Sequence, residues 1–170
     1  MAAARSTRSS ARLAHLTHAR PALAGLPATA GAIHLVIAIE EAAAGEWGLS
    51  VFPALVGIGL LAIGWLIYRD VGGERLLKLA AIASVAIALV WVFSRTTGLP
   101  FGAEAGTATE PGVGDTIATL LELTFAATVA LIASRGEQPV AWLSGAIGVR
   151  LTIVVLSLSL LLSAFGGHAH

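Results

Sequence analysis

The chain of 170 residues contains no cysteine, which excludes disulfides, iron–sulfur clusters, thiolate metal ligands and thiol nucleophiles from within it. Methionine is nearly absent as well: Met1 is the only one, so copper(I) handling through sulfur lacks ligands. The sole lysine, Lys78, falls at the inner edge of an apolar stretch, so no buried amine is available for a retinal-type Schiff base. The chain has no His-Glu-x-x-His, no nucleophile elbow and no phosphate-binding loop, and no catalytic residue is assigned. Charge is scarce too, at 12% of residues against about a quarter in soluble domains. With a formal net charge of zero, nucleic-acid binding has no electrostatic footing.

Apolar residues fill the gap. Hydrophobic side chains make up 56% of the chain and the mean hydropathy is +0.86. They are gathered into five stretches, 23–44, 49–68, 76–93, 116–134 and 140–165, each close to the roughly 20 residues that one bilayer crossing requires. Backbone polar groups in lipid must be satisfied within each segment, so every crossing is expected to be helical. The expected fold class is therefore all-α: an integral membrane helical bundle of about five transmembrane helices, forming one domain over residues 21–170. Its expected surroundings are the lipid bilayer, with a bacterial cytoplasmic membrane as the expected location.

Residues 1–20 hold Arg5, Arg8, Arg12 and Arg20 and no acid, a composition shared with organellar transit peptides. The expectation is a basic cytoplasmic tail on anionic head groups. With that tail inside, Arg69, Arg75, Lys78 and Arg135 also fall inside, and the positive-inside rule gives an N-in, C-out topology. Trp47 and Trp91 then mark the outer interface, and Trp65, Tyr68 and Trp142 the inner one. Between the third and fourth stretches lies TTGLPFGAEAGTATEPGVGD, an outer loop rich in glycine, proline, threonine and acid. Loops of such length are often functional, and a solvated connector fits the composition equally well. A turn at Gly98–Gly102 that tucks Phe101 against the helix ends is a further expectation.

Ionisable groups at membrane depth are expensive, about 2.5 to 3.5 kcal/mol for a central Arg, Lys or Asp on insertion scales, and are usually inward-facing. His34, Glu122 and Arg150 are in that position. His34 has Ala30 and Ala38 one turn away on either side, with Glu41 two turns further out on the same face. Glu122 is flanked at four-residue steps by Ala118, Ala126 and Ala130, a small-residue face that permits close helix contact. Arg150 falls near the same depth on the next helix, so a neutralising Glu122–Arg150 pair is expected. The candidate intramembrane polar site is thus His34, Glu41, Glu122 and Arg150, supported at the outer face by Glu46, Arg95 and Asp115. Metal candidates are His34, Glu41, Glu122, His168 and His170, since carboxylates and imidazoles bind divalent cations and His-x-His is a bidentate element. Haem held by two histidines of this chain is not expected, because His34 is the only histidine at membrane depth.

The run Ser94-Arg95-Thr96-Thr97-Gly98-Leu99-Pro100-Phe101-Gly102, followed by Glu110-Pro111, Gly114-Asp115 and Glu122, resembles a motif run of small bacterial multi-pass membrane proteins for which no activity is established. Ala30 to Trp47, with His34, Glu41, Glu46 and Trp47, looks like the first helix and loop of the same group. The resemblance implies helical spans joined by an acidic outer loop, and favours His34, Glu41, Arg95, Asp115 and Glu122 as positions that converge in the outer half. It carries no function. Glu40-Glu41 stands where a nearby histidine would be expected, which weighs against a metal. Two roles follow: an accessory or scaffold subunit of a membrane assembly, or proton or cation binding and transport through the outer-half site. Five spans are few for an independent transporter, so a homo-oligomer or larger membrane complex is expected.

Overall fold

The computed structural model describes residues 2–100 and 105–135, with side chains described for 20–100 and 105–134. Within these residues the chain forms four helices: α1 (Ala2–Ala43), α2 (Trp47–Tyr68), α3 (Gly73–Thr96) and α4 (Val113–Arg135). The apolar portions, Arg20–Ala43, Trp47–Tyr68, Gly73–Thr96 and Val113–Ser134, are each long and apolar enough to cross a membrane. They agree with the first four stretches read from the sequence to within three residues at each end. The fifth stretch, with Trp142 and Arg150, and the tail with His168 and His170, lie outside the described residues. Phe101 does too, and with it the proposed tuck of the Gly-Leu-Pro-Phe-Gly turn.

Residues 20–43 and the basic segment before them form one continuous helix with Pro21 and Pro27 inside it. Proline removes a backbone donor and strains a helix in water, but spanning helices tolerate it when neighbouring helices re-satisfy the freed groups. Pro27 is fully buried.

α1 is the central helix. It packs along α2 and against α4, while α3 leans on α4 and touches α2 only slightly. The spatial order is therefore α2, α1, α4, α3. Composition explains the choice. In lipid no hydrophobic force draws helices together, so association depends on how closely backbones approach. From Ala22 to Ala32, α1 is almost entirely Ala, Gly, Thr, Pro and two leucines.

The α1–α2 contact has a repeating grammar. α2 buries Ser50, Pro53, Gly57, Leu60, Gly64 and Ile67, alternating steps of three and four that average the 3.5-residue period of left-handed helix packing. At Gly57 an added Cβ would fall 2.7 Å from the carbonyl oxygen of Gly31, and at Gly31 the reciprocal distance is also 2.7 Å. Two backbones thus meet where neither residue has a side chain. Gly64 sits in the same way over Ala24 and Ala28.

The end of the bundle where the α1 span begins is tied by Arg20, which pairs with Asp70 in the α2–α3 connection at 2.7 Å. Asp70 has φ 59, a left-handed conformation that short polar residues tolerate better than most. At the same end Trp65 stacks on Tyr68, and the Arg69 guanidinium lies 5.4 Å from the Trp65 ring centre. At the start of α3 the Lys78 ammonium pairs with Glu74 one turn away, at 2.8 Å.

Candidate functional site: a buried histidine–carboxylate pair

His34 lies nine residues before the end of α1 at Ala43, and Glu122 nine residues after the start of α4 at Val113. At about 1.5 Å per residue both sit about 13 Å below the same end of the bundle. The helices run antiparallel there, and the two side chains meet: His34 Nε2 is 2.9 Å from Glu122 Oε1. Glu122 is completely buried and His34 is 7% exposed. At that separation one proton is shared, either N–H donating to a carboxylate or carboxyl O–H donating to the imidazole nitrogen.

The small residues next to both groups make the contact possible. Ala30 and Ala38 flank His34, Ala118 and Ala126 flank Glu122, and all four are buried. Ala130 departs from the face expected of it and is exposed. The buried positions Ala118, Glu122, Phe125 and Val129 follow at steps of four, three and four, close to the helical period, whereas unbroken steps of four drift away from the neighbouring helix.

Glu122 was expected to meet Arg150, which lies outside the described residues; the partner that the structure gives it is His34. The depth argument applied to α1 and α4, rather than to adjacent helices, would have found it. Glu41 is half-buried two turns above His34, and Glu46 is exposed in the α1–α2 turn. Neither builds a metal site with the pair: among the described residues no group of three His, Asp or Glu side chains is placed to hold a metal ion.

Arg95 and Asp115 do come together, as an ion pair between the end of α3 and the start of α4. Arg95 also donates to the Thr109 hydroxyl, a partner that nothing in the residue pattern signals. Thr109 N–H in turn donates to the Ser94 carbonyl at 3.1 Å, and Gly106 N–H to that of Leu99 at 2.8 Å. Gly98, at φ +75, lets the loop backbone pass so closely that a Cβ there would lie 2.4 Å from Thr107 N. The described part of the long loop is therefore folded back on the helix ends by named bonds. Arg95→Ala is expected to make residues 97–112 several-fold more sensitive to limited proteolysis. Global unfolding should shift by less than about 1 kcal/mol, because the pair is partly solvated.

Fold and site together define the class: a helical bundle of membrane-spanning length, built around a buried imidazole–carboxylate pair. Comparison with known proteins adds no closer relation, since no family model, no curated protein and no solved structure matches this chain.

Proposed function

We propose that this chain is a polytopic integral membrane protein whose His34–Glu122 pair is a proton-binding centre in the outer half of the bilayer. The observation that carries the reading is a fully buried glutamate bonded to a histidine between two helices of spanning length. Charge balance gives the reason. Glutamate with imidazolium, or glutamic acid with imidazole, is net neutral and holds two protons. Removing one leaves a net negative charge in a medium that penalises it heavily. A pair of this kind exchanges a proton as its natural chemistry.

The N-in topology finds support in the clustering of Arg20, Arg69, Arg75 and Lys78 at one end and of Glu40, Glu41, Glu46 and Glu110 at the other. The sequence 140–165 supplies a fifth crossing by its apolar composition.

Infrared difference spectra of the protein in lipid bilayers, taken between acidic and alkaline buffer, test the centre. One buried carboxylic acid band is expected, lost in Glu122→Gln and displaced in His34→Ala. Spectra that neither variant alters would remove the pair from proton chemistry.

A second reading, an accessory or scaffold subunit, draws on α3, of whose apolar window only 17% is buried inside the chain. That surface is free for lipid or for a neighbouring subunit. Native mass spectrometry from mild detergent separates the cases: stable co-purifying subunits favour the assembly, and a lone chain disfavours it.

A further inference from the structure

The seam between α3 and α4 carries a polar line that the pair alone does not explain. On α4, Asp115, Thr119 and Glu122 follow at steps of four and three, and so share one face. On α3, Arg95, Trp91, Ala88 and Ser84 follow at steps of four, three and four in the opposite direction. The Arg95–Asp115 ion pair fixes the register of the two antiparallel helices. Equal rise per residue then sets Trp91 at the depth of Thr119, Ala88 at that of Glu122, and Ser84 one turn deeper.

Along this line the buried polar atoms lack protein partners. Arg95 Nε, Trp91 Nε1, Ser84 Oγ and Glu122 Oε2 are enclosed, with no hydrogen-bond partner among the described residues. Ser84 is 1% exposed and Glu122 is fully buried. An orphaned buried donor or acceptor costs about 1–3 kcal/mol, so several in one seam call for a common solution. Internal water is that solution where a site is polar and roomy, each molecule making about three hydrogen bonds. A groove of about 220 Å³ opens along the same seam, where Trp91, Thr116 and Thr119 stand among apolar neighbours such as Val85, Leu89 and Leu120.

We propose that the α3–α4 seam is a hydrated proton path that connects Glu122 Oε2 with the Asp115 end of the bundle, and that the Arg95–Asp115 pair is its gate. The proposal rests on the reading of His34–Glu122 as a proton-binding centre and adds the side and route of access. A proton entering at Asp115 passes along water held by Trp91 Nε1 and the Thr119 hydroxyl, and neutralises the carboxylate at Oε2. Oε1 stays bonded to His34 throughout, so proton uptake leaves the α1–α4 contact in place.

The test is water-edited solid-state NMR of the full chain in lipid bilayers, reading magnetisation transfer from water to side chains. Transfer to Thr119, the Trp91 indole and Glu122 is expected to be several-fold faster than to Leu23 and Leu60, which are buried in the α1–α2 core. Asp115→Asn, which weakens the gate, should raise it further at Thr119 and Glu122 while resonances of α1 and α2 stay in place. Thr119 as dry as Leu60 overturns the path, and so does a wet Glu122 reached past Thr128 with Thr119 dry. Either result leaves the proton centre standing if the infrared band of Glu122 titrates. A wet seam with no titrating band rejects both.

Discussion

Leucine in place of Gly57 is expected to destabilise the protein by about 3 kcal/mol or more, at the upper end of what overpacking costs. Its Cβ alone would fall 2.7 Å from the Gly31 carbonyl oxygen and 2.8 Å from Leu35 Cγ. A flexible side chain such as Leu35 can turn aside, but a carbonyl fixed in a helix cannot. The helices must separate, and the dispersion contacts of the whole seam weaken with distance. Alanine at Gly57 should already cost stability, as should alanine at Gly31. The double variant should be milder than the sum, because helices pushed apart by the first methyl have room for the second. Gly59 is the control: nothing lies within 4 Å of a Cβ there, and Gly59→Ala should be neutral or stabilising by about 0.5–1 kcal/mol through helix propensity. Equilibrium unfolding in mixed micelles, followed by circular dichroism, reads all five variants. An additive double variant would show that the two glycines do not share one contact.

The second large effect is expected at the polar pair. His34→Ala removes the hydrogen bond of a fully buried carboxyl and leaves a cavity beside it, and a loss of about 3 kcal/mol is expected. Glu122→Gln keeps an acceptor opposite Nε2 and should cost about 1 kcal/mol. Replacing both residues by leucine leaves no unpaired polar group and should recover much of the His34→Ala loss. Interhelical hydrogen bonds in membranes average about 0.6 kcal/mol, with a maximum near 1.7. Full burial of Glu122 places this pair near that maximum. A double-mutant cycle with a coupling close to zero would reduce the pair to two independent packing residues.

These two contacts show different degrees of legibility. The glycines were visible as letters, yet that Gly57 meets Gly31 depends on helix rotation, which apolar stretches do not encode. His34 and Glu122 were each recognisable from the expense of an ionisable group at membrane depth. Their pairing was not, because it depends on which helices pack together, and local hydropathy leaves that open. α4 lies against α1, since the small residues of α1 allow two neighbours to approach it at once. Thr109 belongs to the same category: one threonine among several in a polar loop, given its role only when the loop folds back over Arg95.

By itself, the sequence determined helical spans of bilayer length and their limits, because hydropathy over about 20 residues is a local property set by the solvent. It also determined which side chains are too costly to face lipid. The tertiary structure decided which helices touch, and hence that His34 meets Glu122 and that Arg95 closes on Asp115. The physical reason lies in the bilayer. Lipid tails match apolar side chains almost equally well on every face, so neighbours are selected by the close approach of small residues and by the few polar groups that must find one another.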